Sequence, residues 1–123
     1  MNILEQLAAE WYASQGYFVR TNVKYGKRPN GGYVGEIDVA AFDPKDMSLL
    51  HIETSTDSHS WEERKQRFIT HFTKARRHYS EVFDFKIGEI KRVAIVGFNT
   101  RKPNQHTLVV ILKSSWCQIL FRK

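Results

Sequence analysis

Apolar residues recur at helical spacing through residues 2–15, where Ile3, Leu4, Leu7, Ala8 and Trp11 fall on one stripe. Gly16 is placed to end that helix as a C-cap. Residues 17–25 (YFVRTNVKY) are rich in aromatic and β-branched side chains and predict a strand. Pro29, Asn30, Gly31 and Gly32 predict a turn, and residues 33–42 (YVGEIDVAAF) a second strand. Asp43, Pro44, Lys45 and Asp46 predict the next turn, and residues 48–55 (SLLHIETS) a third strand. The three strands read as an antiparallel meander.

A loop at Thr56, Asp57, Ser58 and His59 comes next. Ser60 and Glu63 have the spacing of a capping box, so a second helix is expected from there to about Phe83. Trp61, Phe68, Phe72, Ala75 and Tyr79 form its apolar stripe. Residues 91–98 (KRVAIVGF) predict a buried central strand, and residues 107–112 (TLVVIL) one more. Trp116 to Phe121 carry no decisive pattern. The order α-β-β-β-α-β-β predicts one α/β domain, residues 1–123, with a mixed sheet and a helix packed against it.

Composition narrows the function classes. The formal net charge of +6 and the local run Lys74, Arg76 and Arg77 suit a polyanionic partner, because each neutralised phosphate releases counterions, and equally suit a soluble protein that is simply basic. Cys117 is the one cysteine, which excludes an intramolecular disulfide and a multi-cysteine zinc site. Glu5 and Glu10 interrupt any apolar signal core, and no run approaches the roughly 18 apolar residues of a membrane span. A cytoplasmic, soluble protein with no membrane partner is expected. P-loop, dinucleotide-binding and HExxH signatures are absent.

The candidate chemistry lies on the strands. Side chains alternate faces, so Glu36, Asp38 and Ala40 should oppose Ile37 and Val39, and His51, Glu53 and Ser55 should oppose Leu50, Ile52 and Thr54. Asp38 and Glu53 interrupt otherwise apolar strands, and a buried carboxylate is costly unless it is paired or bound to a metal. If the two polar faces align, two acids converge as oxygen ligands for a hard cation such as Mg²⁺. One wet face of a sheet would produce the same pattern.

The segment GEIDVAAFD (35–43) followed by LLHIETS (49–55) resembles the active-site hairpin of the PD-(D/E)XK nucleases. The helix EQLAAEWYASQGY (5–17) is similar to the opening of the small YraN-like endonucleases, and archaeal Holliday-junction resolvases share the broad layout. The resemblance implies a restriction-endonuclease-like fold and a metal-dependent nuclease acting on DNA in repair, recombination or restriction. It implies Asp38 and Glu53 as ligands for Mg (or Mn), with Glu5 as an outer participant. The E-x-K pattern here reads Glu53, Thr54, Ser55, so Ser55 stands where a lysine would position water and stabilise charge. Lys65 on the second helix is the first substitute to consider, and Lys24 a weaker one; either could simply reach solvent. His51 should share a face with Glu53, as a base or a polar neighbour. His71 and His78 lie seven apart on one face of the second helix, which could bind metal or phosphate or be a solvated basic face with Lys74 and Arg77. His59, His106 and Cys117 have no partner in sequence. The competing expectation is a DNA-binding module of the same fold without hydrolysis, and a protein-interaction domain stands behind both. A homodimer is expected if both strands are cut.

Overall fold

The computed structural model describes residues 2–56, 60–98, 108–113 and 118–122. His59, His106 and Cys117 lie outside the described residues, as does the side chain of Trp61. The elements are α1 (Ile3–Ser14), β1 (Phe18–Lys27), β2 (Tyr33–Asp43), β3 (Ser48–Ser55), α2 (Trp61–Ala75), a short 3-10 turn (Tyr79–Glu81), β4 (Glu89–Phe98), β5 (Leu108–Lys113) and β6 (Gln118–Arg122). The strands form one mixed sheet in chain order, antiparallel everywhere except between β3 and β4. That parallel pair requires a crossover, and α2 supplies it. The α/β class and the mixed sheet agree with the sequence reading, and the undecided C-terminal segment is a strand.

Both faces of the sheet are covered. Leu4, Ala8 and Tyr12 of α1 pack on Val39, Ala41, Leu50, Ile52, Val93 and Ile95. The strand neighbours of those residues point the other way. Ala40, Phe42 and Leu49 meet Ala75, Tyr79 and Val82, while Ala94 and Val96 meet Phe68. Gly97 lets α1 approach closely, since a Cβ there would lie 2.9 Å from Leu4 Cδ1. No helix among the described residues is long and apolar enough to cross a membrane.

Two expectations need correction. The second helix ends at Ala75, well before Phe83. The chain turns at Arg76–His78 because tertiary contacts fix the next residues: the Tyr79 hydroxyl reaches His51, Arg20 donates to the Val82 carbonyl, and Glu81 accepts from the Gly26 amide at 3.1 Å. These contacts override a helical periodicity that continues past the break. The strict alternation of β2 also fails at one place. Val39 packs beneath α1 as one cluster, but Ile37 joins Ala40, Phe42 and Tyr25 in the other. The slip falls at Asp38, opposite Asn22, which adopts φ 50 in β1. Neither Asn22 nor Asp38 takes part in the β1–β2 register, although the pairs on both sides do.

Candidate functional site

The β2–β3 ladder stops at the pair Val39↔Ile52. The next two residues outward are Asp38 and Glu53. β3 runs on beside β4 as far as Ser55↔Val96, so the last residues of β3 lose β2 while keeping β4. A strand amide left without its ladder partner needs another acceptor. The Asp38 carboxylate supplies one: Thr54 donates to Oδ2 from its amide at 2.9 Å and from its hydroxyl at 3.3 Å. The sheet opens at this point, and an aspartate fills the opening.

Glu53 is almost fully buried, and three side chains meet it. His51 Nε2 lies 2.7 Å from Oε1, and His71 Nδ1 lies 3.4 Å from Oε2. His51 is in turn hydrogen-bonded through Nδ1 to the Tyr79 hydroxyl at 2.5 Å. The third neighbour is Asp38, whose carboxyl and that of Glu53 shift each other's titration. Burial would push Glu53 up, but the hydrogen bonds from His51, His71 and Asp38 and the charge of His51 outweigh it and hold the carboxyl at about 2. Asp38 moves the opposite way, to about 7, through burial first and the Glu53 charge second; the Thr54 amide offsets part of this. The pair thus divides into one ionised carboxylate and one carboxyl that keeps its proton near neutrality, as two crowded like charges must. Because an ionised carboxylate only accepts, Nε2 of His51 and Nδ1 of His71 are the donors to Glu53. His71 is raised, chiefly by its hydrogen bond to Glu53. Tyr25, whose ring lies against Gly35, is pushed up to about 12 by burial and then by the Glu53 and Tyr79 charges.

Glu5 is buried where Glu10 is exposed, which separates two residues the helical stripe leaves equivalent. Asn2 caps α1 by accepting from the Glu5 amide at 2.9 Å, and its Nδ2 donates to Glu5 Oε1 and to Thr54 Oγ1, each at 3.2 Å. Asn22 Nδ2 reaches Glu5 Oε2 at 3.4 Å and Glu36 Oε1 at 2.9 Å. Glu5 therefore accepts from the side chain of the residue that caps its own helix, and it adds negative charge near Asp38. The spacing Asn2-x-x-Glu5 is visible in the sequence and would have singled it out.

Ser55 is buried and accepts at Oγ from Arg64 Nε at 3.0 Å. Arg64 is only 3% exposed, and its guanidinium also donates to the Ser55 carbonyl at 3.4 Å and to the Gly97 carbonyl at 3.2 Å. It thus ties the ends of the parallel pair β3–β4 together. In the sequence Arg64 reads as a solvent-facing charge, yet it lies one turn before Phe68 on the buried stripe. Lys65, beside it on α2, is half-buried, and Lys74, Arg76 and Arg77 are exposed at the far end of the helix. Asp38, Glu53 and Glu5 are therefore brought together, Ser55 lies two residues on along the same strand, and the basic run is separate.

Among the described residues, no group of three or more His, Cys, Asp or Glu side chains is arranged to hold a metal ion. The pair Asp38 and Glu53 offers hard oxygen donors, and Mg²⁺ commonly takes only one or two carboxylates from protein, filling its shell with water and phosphate. Against known proteins, the chain matches no family model, no curated protein and no solved structure.

Proposed function

We propose that this protein is a metal-dependent nuclease of the PD-(D/E)XK type that hydrolyses phosphodiester bonds in DNA. The observation that carries the proposal is the meeting of Asp38 and Glu53 where β2 parts from β3, with Asp38 held at a raised pKa by burial and then by the Glu53 charge. A buried glutamate pressed against a half-buried aspartate costs free energy, and a divalent cation between them would relieve that cost. The element order α-β-β-β-α-β, with β3 and β4 parallel across α2, supports a restriction-endonuclease-like fold.

Asp38 and Glu53 would hold Mg²⁺ or Mn²⁺, which when bound polarises the phosphate and acidifies water. The chain's own residues do the rest. His51 and Tyr79 fix Glu53 from behind, Thr54 fixes Asp38, and Glu5 adds negative charge at the rim. Water adds across the phosphodiester to give a phosphate monoester and a free hydroxyl. The exposed cations Lys74, Arg76 and Arg77 would track the DNA backbone.

A second reading, a DNA-binding module that has lost hydrolysis, is favoured by one observation: Ser55 occupies the lysine position and is engaged by a buried arginine. Supercoiled plasmid and branched DNA incubated with Mg²⁺ or Mn²⁺ separate the two. The nuclease reading expects nicking or cleavage that vanishes in Asp38→Ala and Glu53→Ala. Salt-sensitive binding with no cleavage by wild type establishes the second reading, and neither binding nor cleavage defeats both.

A further inference from the structure

Resting on the nuclease reading, we infer that His71 takes the place of the missing motif lysine as the side chain that contacts the scissile phosphate. Several side chains of α2 and β3 carry nitrogen donors that a substrate could meet. His51 is fully buried and spent at both ring nitrogens, on Glu53 and Tyr79. Arg64 is buried and directed at Ser55 and Gly97. Lys65 follows Arg64 on α2, one residue off the stripe that faces the sheet. His71 differs from the first two in reaching solvent and the site at once. Its side chain is 43% exposed, while the Glu53 side chain it touches is 2% exposed.

The imidazole geometry then sets its direction. Nδ1 is committed to Glu53 Oε2 at 3.4 Å, and Nε2 lies on the far side of the ring. A histidine so anchored has one nitrogen on the buried acid and the other directed away from it. The same carboxylate that would hold the metal therefore orients the ring. Two turns of α2 separate His71 from Arg64, so the arginine clamps the strand ends while the histidine meets the pair itself. The pattern also places His71 three residues before the exposed Lys74, which continues a cationic track away from the site.

The test is cleavage of supercoiled plasmid by the full chain in Mn²⁺, comparing wild type, His71→Ala, His71→Gln and Lys65→Ala. The expected result is a loss of about 10²-fold or more in both His71 variants. Melting temperature and Mn²⁺ affinity should stay near wild type, and added imidazole should restore part of the His71→Ala rate. Rescue by a free imidazole is a readout that a purely structural role would not give. Wild-type cleavage with undiminished His71→Ala activity overturns the inference alone, as does a loss confined to Lys65→Ala. Absence of cleavage by wild type overturns the nuclease reading and this inference with it.

Discussion

The Thr54 amide donates to the Asp38 carboxylate at 2.9 Å, one position beyond the last β2–β3 pair. A side chain thus completes a backbone ladder, so the acid is fixed by the sheet itself. Asp38 also sits beside Glu53, which keeps its proton on to about 7. The expected consequence is a pH-dependent stability. In the folded chain Asp38 binds a proton above the ordinary aspartate range, so the native state holds more protons than the unfolded one between about pH 4 and 7. Stability from this group therefore falls as pH rises through that window. Asp38→Asn keeps an oxygen for Thr54 and removes the titration. It should flatten the decline and raise stability at pH 7 by on the order of 1–2 kcal/mol. Urea unfolding of both proteins from pH 4 to 8 measures this, and parallel curves would contradict it.

Glu53 behaves in the opposite sense. Its folded value of about 2 lies below the ordinary glutamate range, so its contribution is present above that range and lost as pH falls toward 2. Removing it also strands His51, which is fully buried. Glu53→Ala should therefore cost about 2–3 kcal/mol of stability, besides any loss of activity. Glu53→Gln, which keeps an acceptor, should cost less. A Glu53→Ala protein that melts with wild type would show that the His51 hydrogen bond is unimportant.

Placing a lysine at position 55, as the proposed nuclease reading would ask, is not expected to be benign. Ser55→Lys would place an ammonium in a buried site against the Arg64 guanidinium. A loss of about 2 kcal/mol or more is expected, since buried like charges are strongly unfavourable. The double variant Ser55→Lys with Arg64→Met should recover part of it. Thermal melts of the two variants check this, and an unchanged melt for the single variant would refute it.

On the proposed reading, in which exposed cations contact phosphates, DNA affinity should fall steeply with salt. Replacing Lys74, Arg76 and Arg77 singly by Ala should each reduce the slope of log K against log salt by about 1, without altering sequence preference. Fluorescence anisotropy over a salt series reads the slope directly. A flat dependence in wild type would remove DNA backbone contact from the account.

The sequence by itself determined the elements. Period-2 and period-3.6 patterns depend on which face of an element is buried, and turns such as Asn30-Gly31-Gly32 mark where chains reverse; both are local properties. The strands at 33–42 and 48–55, the first helix and the Ser60 helix start were legible for that reason. So were Asp38 and Glu53 as candidates, because each interrupts an otherwise apolar strand; that the two meet depends on how β2 and β3 lie together beyond their last pair. What the tertiary structure decided is everything that needs two separated segments. The end of α2 at Ala75 follows from contacts of Tyr79 and Val82 with β3 and β1, and no residue between Arg76 and His78 announces it. The face slip at Asp38 comes from Asn22, sixteen residues earlier in the chain, through its left-handed backbone. The Arg64–Ser55 clamp and the His71–Glu53 contact join α2 to β3, and their sequence signal is only a polar residue on or beside an apolar stripe. A local pattern states that a side chain faces inward; which partner it meets there is set by how the helix lies across the sheet.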